Sequence, residues 1–414
     1  MGNTFLAKVT KSVIHGYSMN IDKKMIKSNI PKIRFNNFKA FWVEKRIADI
    51  VKISAGGDVD KVKLKESGKY PVVANALTNK GIVGFYDDYK VKAPAVTVTG
   101  RGDVGYAVAR HENFTPVVRL LTLQSENIDV DYLENQINSM RILNESTGVP
   151  QLTAPQLGNY KVYNPEIEEQ SAIGSLFRTF NDLLSSYKDN LANYQSLKAT
   201  MLSKMFPKSG QTVPEIRLDG FEGEWEVQTL KELASFSKGN GYTKNDLVNS
   251  GEEIILYGRL YTNYQTVISK VNTFVTTVKA NAVISKGGEV IVPASGESAE
   301  DISRASVVEK SGVILGGDLN IIYPDEKKVD SIFLALTISN GSQQKELIKR
   351  AQGKSVVHLR NNDLEKVVLH YPSMEEQQAI GTYFSNLDNL IAAHQEKIYQ
   401  LETLKKKLLQ DMFI

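Results

Sequence analysis

Large apolar residues recur every seven positions in two long segments of the chain. The seam positions are Ile173, Phe177, Phe180, Leu184, Tyr187 and Leu191 in the first segment, and Ile380, Phe384, Leu387, Ile391, His394 and Ile398 in the second, where His394 takes the place of an apolar residue. A period of seven predicts a long helix whose apolar seam packs in a left-handed coiled coil. Over about five heptads each helix reaches roughly 60 Å.

The two helical segments are copies of one another. Residues 164 to 206 come back as residues 371 to 413 without a gap, with a Glu-Glu-Gln run, an Ala-Ile-Gly run and a closing Met-Phe in both. Lys198 and Lys405 occupy the same core-type position of the seam. A lysine there either fixes the register at a cost in stability or extends its ammonium group out of a widened seam.

A second repeat precedes each helix. Pro31 to Arg34 (Pro-Lys-Ile-Arg), followed by Phe38 and Trp42, reappears as residues 214 to 217 (Pro-Glu-Ile-Arg), followed by Phe221 and Trp225. Each half therefore consists of an opening segment, a body and a long helix. The helices align without gaps, so the two dozen or so extra residues of the second copy must lie inside its body.

The bodies contain short strand-like runs that are broken by glycines. Residues 95 to 99 are rich in β-branched side chains, residues 100 to 103 (Gly-Arg-Gly-Asp) predict a turn, and residues 104 to 108 predict the returning arm of a hairpin. Helix-like stretches follow at 131–143 and 331–350. The predicted fold class is α+β: two mixed α/β domains in tandem repeat, separated by two long helices that form an antiparallel coiled coil.

The repeats also predict where the domains begin and end. We expect a mobile basic lead-in at 1–30, a first domain at 31–163, a central spacer helix at 164–206, a linker and second domain at 207–370, and a distal spacer helix at 371–414.

Composition sets wider bounds on the function. The chain has 414 residues, of which 42% are hydrophobic and 23% charged, and this is typical of a globular protein with more than one domain. The absence of cysteine excludes disulfides and thiolate metal sites and suits a reducing cytoplasm. The net charge is only +3, so a surface for nucleic acid must be a local patch. No apolar run reaches the length of a membrane span.

Motifs for catalysis or cofactor binding are missing from the sequence. Residues 353 to 355 (Gly-Lys-Ser) end like a phosphate-binding loop, but Ile348 stands where that loop needs a glycine. Residues 239 to 241 (Gly-Asn-Gly) lack the third glycine of a dinucleotide site. The five histidines lack the close spacing of metal ligands. Neither Asp-Pro-Pro-Tyr nor Asn-Pro-Pro-Tyr, the tetrapeptides expected of a methyltransferase that acts on exocyclic amines, is present.

Basic and aromatic residues do gather on the glycine-rich loops of both bodies. Arginine can bind a guanine edge and asparagine an adenine edge, while lysine neutralises phosphate. The alternative is that the tyrosines pack in the core and the charges only solubilise the surface. The candidates for DNA binding are Lys80, Arg101, Tyr257, Arg259, Tyr261, Asn263, Tyr264, Arg304, Lys349, Arg350 and Lys354.

These features together resemble the specificity subunits of type I restriction-modification systems. The resemblance rests on the duplicated helix starts at 165–174 and 372–381, the Met-Phe helix ends, the Pro-x-Ile-Arg segments and the glycine-rich bodies. It covers the chain from about Pro31 to its end. It implies two target-recognition domains that read the two halves of a split DNA sequence, but it does not say which residues contact bases.

The resemblance also implies partners and their cofactors. Such subunits are non-catalytic, and their helices space the two domains and dock two methyltransferase subunits, which bring S-adenosylmethionine and methylate adenine N6. The seam residues named above are therefore candidates for partner docking as well as for the coiled coil. Two motor-nuclease subunits, which use ATP and Mg²⁺, complete the restriction complex. The absence of catalytic motifs in this chain is then expected.

Two other classes of function stay open at this point. A coiled-coil scaffold with two ligand-binding modules would need no DNA, and salt-dependent, sequence-selective binding to duplex DNA separates it from a specificity subunit. A self-contained methyltransferase-nuclease is disfavoured because the sequence contains neither a cofactor fingerprint nor a catalytic motif.

Overall fold

The computed structural model describes residues 19–21, 29–140, 142, 151–353 and 356–414. The chain divides into two compact units: unit 1 comprises residues up to Asp189 together with Glu396–Ile414, and unit 2 comprises Asn190–Gln395. Each unit thus contains one α/β body and parts of both long helices. None of the helices in the described ranges is long and apolar enough to cross a membrane.

Unit 1 has eleven described strands and three short helices before its long helix. The strands are β1 (Met19–Ile21), β2 (Ile33–Phe35), β3 (Val43–Arg46), β4 (Lys52–Ala55), β5 (Tyr70–Val73), β6 (Ile82–Tyr86), β7 (Ala95–Val98), β8 (Ala107–Arg110), β9 (Thr115–Pro116), β10 (Leu121–Gln124) and β11 (Lys161–Asn164). The helices are α1 (Ile47–Ile50), α2 (Val130–Ser139), α3 (Ala154–Asn159) and the long α4 (Ile167–Lys204), whose last turns belong to unit 2.

Unit 2 continues with strands β12 to β25 and helices α5 to α11. The strands are β12 (Glu226–Thr229), β13 (Ala234–Lys238), β14 (Leu247–Val248), β15 (Glu252–Ile255), β16 (Val267–Ile268), β17 (Phe274–Val275), β18 (Val283–Ile284), β19 (Glu289–Pro293), β20 (Ser295–Gly296), β21 (Ser306–Val308), β22 (Ile314–Leu315), β23 (Leu319–Pro324), β24 (Val357–His358) and β25 (Val368–Tyr371). The helices are α5 (Leu230–Leu233), α6 (Arg259–Thr262), α7 (Ala299–Ile302), α8 (Ser331–Ile338), α9 (Gly341–Arg350), α10 (Asn361–Leu364) and the long α11 (Met374–Met412), whose end belongs to unit 1.

The sheets of the two bodies follow the same plan. In unit 1 the main sheet has the order β4-β10-β7-β8 and a second sheet the order β6-β5-β9. In unit 2 the corresponding sheets are β13-β23-β19-β21-β16 and β14-β17-β15-β22-β18. The additional strands of unit 2 agree with the prediction that the extra residues lie inside the second body.

Two local predictions need correction. The hairpin arm after β7 begins at Ala107 and not at Val104, because Gly102 and Gly105 take positive φ and lengthen the turn. The stretch 331–350 forms two helices, since Gly341 with φ +67° interrupts it. Within the predicted lead-in, β1 pairs with β2 of the first body; residues 1–18 and 22–28 lie outside the described residues.

The predicted seam is confirmed, and within each unit the two helices run antiparallel. In unit 1 the start of α4 packs on the end of α11, and the ring centroids of Phe177 and Phe413 lie 5.8 Å apart. In unit 2 the end of α4 packs on the start of α11, with 6.2 Å between the rings of Phe206 and Phe384. Of the predicted seam residues Ile173, Phe177, Phe180, Leu184, Ile380, Phe384 and Leu387 are buried, while Tyr187, Leu191, Ile391, His394 and Ile398 are half-buried.

The two seam lysines are both bound by the facing helix. The ammonium group of Lys198 donates to the carboxylate of Asp388, and that of Lys405 donates to Asn181 Oδ1 at 2.6 Å. Burial lowers the pKa of Lys405. Each lysine therefore forms a polar pair across the seam, which favours one register of the helices over others.

An ion pair joins the opening segment of each unit to the start of its long helix; both partners are buried in unit 1, whereas in unit 2 Glu376 is buried and Arg217 is half-buried. Arg34 binds both carboxylate oxygens of Glu169 at 2.6 and 2.7 Å, and the indole nitrogen of Trp42 donates to the same carboxylate at 3.0 Å. Arg217 and Glu376 repeat the two-point contact at 2.7 and 2.6 Å. The repeated Pro-x-Ile-Arg and Glu-Glu-Gln sequences are thus the two sides of one contact.

The glutamine of each Glu-Glu-Gln run fixes a helix of the body. The amide oxygen of Gln170 accepts from the backbone N–H of Asp129, which is the N-cap of α2. Gln377 accepts in the same way from Asp330, the N-cap of α8, at 2.9 Å. Each N-cap carboxylate accepts backbone N–H groups from its own first turn. The body and the long helix consequently share one hydrogen-bond network.

The glycine of the Ala-Ile-Gly run supports a test of this junction. A Cβ on Gly174 would lie 2.3 Å from the Asp129 carboxylate, whereas one on Gly381 would lie no closer than 3.3 Å to its nearest neighbour, Ile332. We expect Gly174→Ala to lower the free energy of unfolding of unit 1 by about 1–3 kcal/mol, because the N-cap must shift.

Gly381→Ala is the matched control. It should change stability by less than about 1 kcal/mol, since the gain in helix propensity offsets a slight crowding. Thermal unfolding of the full chain, followed by circular dichroism, compares the two variants. Equal midpoints for Gly174→Ala and Gly381→Ala would contradict the proposed close approach.

Candidate nucleic-acid interface

Four loops of unit 1 meet at one edge of its main sheet. The end of β4, the end of β7 and the start of β10 share this edge, because β10 pairs antiparallel with both neighbours. We call residues 54–58, 74–81, 99–105 and 117–120 the first loop cluster. Its loops approach closely: a Cβ on Gly56 would lie 2.0 Å from the carbonyl oxygen of Val117, so only glycine fits there.

One asparagine connects three loops of this cluster. The Asn75 side chain donates to the carbonyl oxygen of Val118 at 3.1 Å and accepts from the backbone N–H of Gly100 at 2.8 Å. The carbonyl of Gly100 in turn accepts from Leu152. Asn75 therefore fixes the backbone beside Arg101, although sequence reasoning did not single it out.

Two predicted DNA-binding residues, Lys80 and Arg101, lie in the first loop cluster and are exposed. Gly102, next to Arg101, has φ +76°, and a Cβ at this position would have no neighbouring atom within 4 Å. The backbone of Lys80 is held by Arg110, which donates to its carbonyl at 2.7 Å and to Thr97 Oγ1 at 3.0 Å. Burial lowers the pKa of Arg110 to about 10. The turn that carries Lys80 is thus anchored to the sheet.

Unit 2 has the equivalent loops at the equivalent edge. We call residues 238–243, 256–263, 294–297 and 316–318 the second loop cluster. A Cβ on Gly239 would lie 2.0 Å from the carbonyl of Gly316, which repeats the close approach at Gly56. This cluster borders a cleft of about 910 Å³. The cleft is lined in part by Tyr242, Lys244, Tyr257, Arg259, Tyr261, Asn263, Asn272 and Asp318.

The residues of the predicted tyrosine-rich segment take different positions. Tyr257, Tyr261 and Asn263 line the cleft, and the two tyrosine rings lie 6.2 Å apart. Arg259 also borders the cleft, but its guanidinium donates to Gln265, Lys270 and Asn272, and burial lowers its pKa. Arg259 therefore shapes the loop, and few of its donors are available to a base edge.

The remaining predicted residues lie apart from the cleft. Tyr264 stacks under the guanidinium of Arg304, with 5.6 Å from the guanidinium carbon to the ring centroid, and both line a small pocket beside α4. Lys349 lines another groove, next to the end of α4, while Arg350 pairs with Glu346 at 2.7 Å. Lys354 lies outside the described residues. Their predicted contact with DNA stays a prediction.

Comparison with known proteins gives the family of this fold. A sequence model of the family described as "Type I restriction modification DNA specificity domain" matches residues 39–193 and 222–403, which is most of the chain and includes both loop clusters. The chain belongs to the type I restriction-modification DNA specificity family. As the two matched segments correspond to the two copies of the repeat, the resemblance seen in the sequence is confirmed.

Named relatives of this specificity protein agree with the assignment. The MjaVIII specificity subunit of Methanocaldococcus jannaschii is 22% identical over 277 residues; the match spans 64% of this chain and 64% of that protein, which is just under two thirds of its length. A Mycoplasma pneumoniae protein that is named as a type I specificity subunit is 23% identical over 375 residues, 88% of this chain and 94% of the relative.

A solved structure shares the fold of this specificity protein. The S subunit of a type I restriction-modification system from M. genitalium superposes with a TM-score of 0.67 at 16% identity, and the match covers 93% of this chain and 99% of that one. At this identity the likeness shows the fold alone. Within the described residues no group of three or more histidine, aspartate or glutamate side chains is arranged to hold a metal ion.

The role of Asn75 in the specificity protein can be tested directly. We expect Asn75→Ala to free the Gly100 amide and the Val118 carbonyl, so that the Gly100 amide exchanges with solvent faster by about tenfold. Hydrogen exchange measured by mass spectrometry on peptides across residues 95–105 reports this change. Asn127→Ala, an exposed asparagine away from the cluster, is the control. Unchanged exchange in Asn75→Ala would show that Asn75 does not hold these loops.

Proposed function

We propose that this chain is the non-catalytic DNA-recognition subunit of a type I restriction-modification complex, in which each unit reads one half of a bipartite, asymmetric DNA sequence. The observation that carries the proposal is the repetition of one loop cluster at the same sheet edge in both units, with different side chains on each. Loops that project from a rigid scaffold are well suited to binding. Two units with the same sheets but different loop side chains are suited to binding two different half-sites.

The loop side chains supply groups that can contact base edges and groups that can contact phosphate. Arg101 is exposed beside a glycine that lets the backbone approach a duplex, and a guanine edge is its natural partner. Lys80 is placed to neutralise phosphate. In unit 2 the amide of Asn263 can pair with adenine, and Tyr257 and Tyr261 offer flat apolar surface. These roles extend the family assignment to residues of this chain.

The chemistry of the complex belongs to partner chains. Two methyltransferase subunits bring S-adenosylmethionine and methylate adenine N6, and two motor-nuclease subunits use ATP and Mg²⁺. The seam residues pack between the two long helices. The methyltransferases therefore dock on the outer faces of these helices. Exposed apolar side chains stand there at Leu197, Leu390 and Tyr399, the last of which is 67% exposed. Such side chains are common at protein interfaces.

Binding to duplex DNA tests the proposal. The subunit, assembled with its methyltransferase partner, is offered a library of random duplexes at two salt concentrations. We expect it to enrich a sequence with two separated halves, and its affinity to fall steeply with salt because phosphate contacts release counterions. Binding without sequence preference, together with uptake of a small ligand in the tyrosine-lined cleft, would support the alternative of a scaffold with ligand-binding modules.

We further propose that the two long helices set the spacing between the half-sites. Inserting one heptad after Asp189 and one after Glu396 keeps the seam in phase and lengthens both helices by about 10 Å. With a rise of roughly 3.4 Å per base pair, the spacer that the complex selects should grow by about 3 base pairs, or binding should collapse because the second half-site has rotated away. Selection from a library of spacer lengths measures this. If the lengthened protein selects the original spacer with unchanged affinity, the helices do not act as a ruler.

A further inference from the structure

One loop position is occupied by oppositely charged residues in the two units. The backbone N–H of Gly56 donates to the carbonyl of Leu120 at 2.9 Å, and that of Gly239 donates to the carbonyl of Leu319 at the same distance. Both leucines stand at the start of the equivalent sheet strand, Leu319 as the first residue of β23 and Leu120 just before β10. The residue before each leucine therefore holds the same place: Arg119 in unit 1 and Asp318 in unit 2.

The backbone at this position is held in an uncommon conformation. Arg119 has φ +70° and Asp318 has φ +58°, in the left-handed region that glycine adopts at least cost. Across the described ranges, the other non-glycine residues with positive φ are Asn79 and Lys80, which belong to the first loop cluster. Backbone strain of this kind concentrates at functional sites and persists where the surroundings hold it.

The surroundings do hold both turns. A hydrogen bond of 3.1 Å from the Leu120 N–H to the Val117 carbonyl closes the turn that presents Arg119, and Asn75 fixes the carbonyl of Val118. The carbonyl of Asp318 accepts from Ala294 at 2.8 Å. The two side chains themselves are exposed, and neither makes a hydrogen bond or an ion pair with a residue that the structure describes. A fixed backbone with an unengaged charged side chain is suited to meeting a ligand.

The carboxylate of Asp318 is the stronger indication of a contact with a base. A surface that binds phosphate repels an aspartate, so an acidic side chain in the second loop cluster weakens non-specific binding unless a base edge satisfies it. In the major groove, aspartate accepts a hydrogen bond from the amino group of cytosine, and arginine binds the O6 and N7 atoms of guanine. The equivalent loops of the two units thus present opposite hydrogen-bonding chemistry.

We propose that Arg119 and Asp318 are specificity-determining residues: Arg119 selects a guanine in the half-site read by unit 1, and Asp318 selects a cytosine in the half-site read by unit 2. This inference rests on the proposed function and deepens it. It assigns opposite preferences to one loop position of the repeat, which the family assignment does not do.

The test replaces each side chain by glycine, because glycine adopts positive φ without strain and the fold is retained. The complex with the methyltransferase partner selects sites from a library that is randomised in both half-sites. For Arg119→Gly we expect one guanine of one half-site to lose its preference by roughly ten- to a hundred-fold, with the other half-site unchanged. Asp318→Gly should do the same to one cytosine of the other half-site.

Two variants with charges removed away from the loops serve as controls. Lys52→Ala removes an exposed charge at the start of β4, and Glu326→Ala removes one just past the end of β23, in both cases at the strand end away from these loops. Both variants should leave the selected sequence unchanged. Variants that select the wild-type sequence with full discrimination would overturn the inference, as would an equal change of affinity for every sequence, which indicates phosphate contact. A wild-type complex that selects no sequence at all would instead overturn the proposed function.

Discussion

The ion pair at the start of each long helix, whose glutamate is buried in both units, is the contact on which the rest of the structure depends. In each unit it ties the opening segment to the helix, and the adjacent glutamine ties the helix to the N-cap of a body helix. Removing one partner of a buried pair typically costs about 3–5 kcal/mol, because the other charge stays buried without compensation. The pair also confers a fixed geometry, since a guanidinium that binds both oxygens of a carboxylate permits little rotation. Each body is thereby attached to its helix at a defined place and angle.

This rigid attachment lets the loops differ without disturbing the frame. Both loop clusters are held mainly by backbone hydrogen bonds and by the close approach of Gly56 and Gly239 to neighbouring carbonyls. Backbone contacts do not constrain most side chains on the loop surface. Unit 1 presents Lys80, Arg101 and Arg119 on these loops, and unit 2 presents Tyr257, Tyr261, Asn263 and Asp318, although the strands below follow one plan. A frame of this kind explains how one duplicated architecture can hold two different binding surfaces.

The sequence predicted the parts of the fold that depend on periodicity and repetition. The seven-residue spacing of apolar residues and the gapless recurrence of the helix identified the coiled coil and the tandem units. The glycine-rich sequence around Arg101 predicted a turn, and the structure places this turn in the first loop cluster. The sequence could not show which polar side chains are already engaged. Arg259 resembles a base-reading residue, yet Gln265 and Asn272 bind its guanidinium. Conversely, Asn75, Arg119 and Asp318 gave no signal, because contacts between distant loops and positive φ values are not visible in residue identity.

The central claim is that two equivalent units with unlike loops recognise two unlike half-sites. The most direct measurement is the map of methylated adenines that the chain, co-expressed with its methyltransferase partner, produces in a host genome that lacks both genes. We expect one bipartite, asymmetric motif with a methylated adenine in each half and, between the halves, a spacer of constant length and variable sequence. A continuous motif, two identical half-sites, or methylation that is unchanged when this chain is omitted would contradict it.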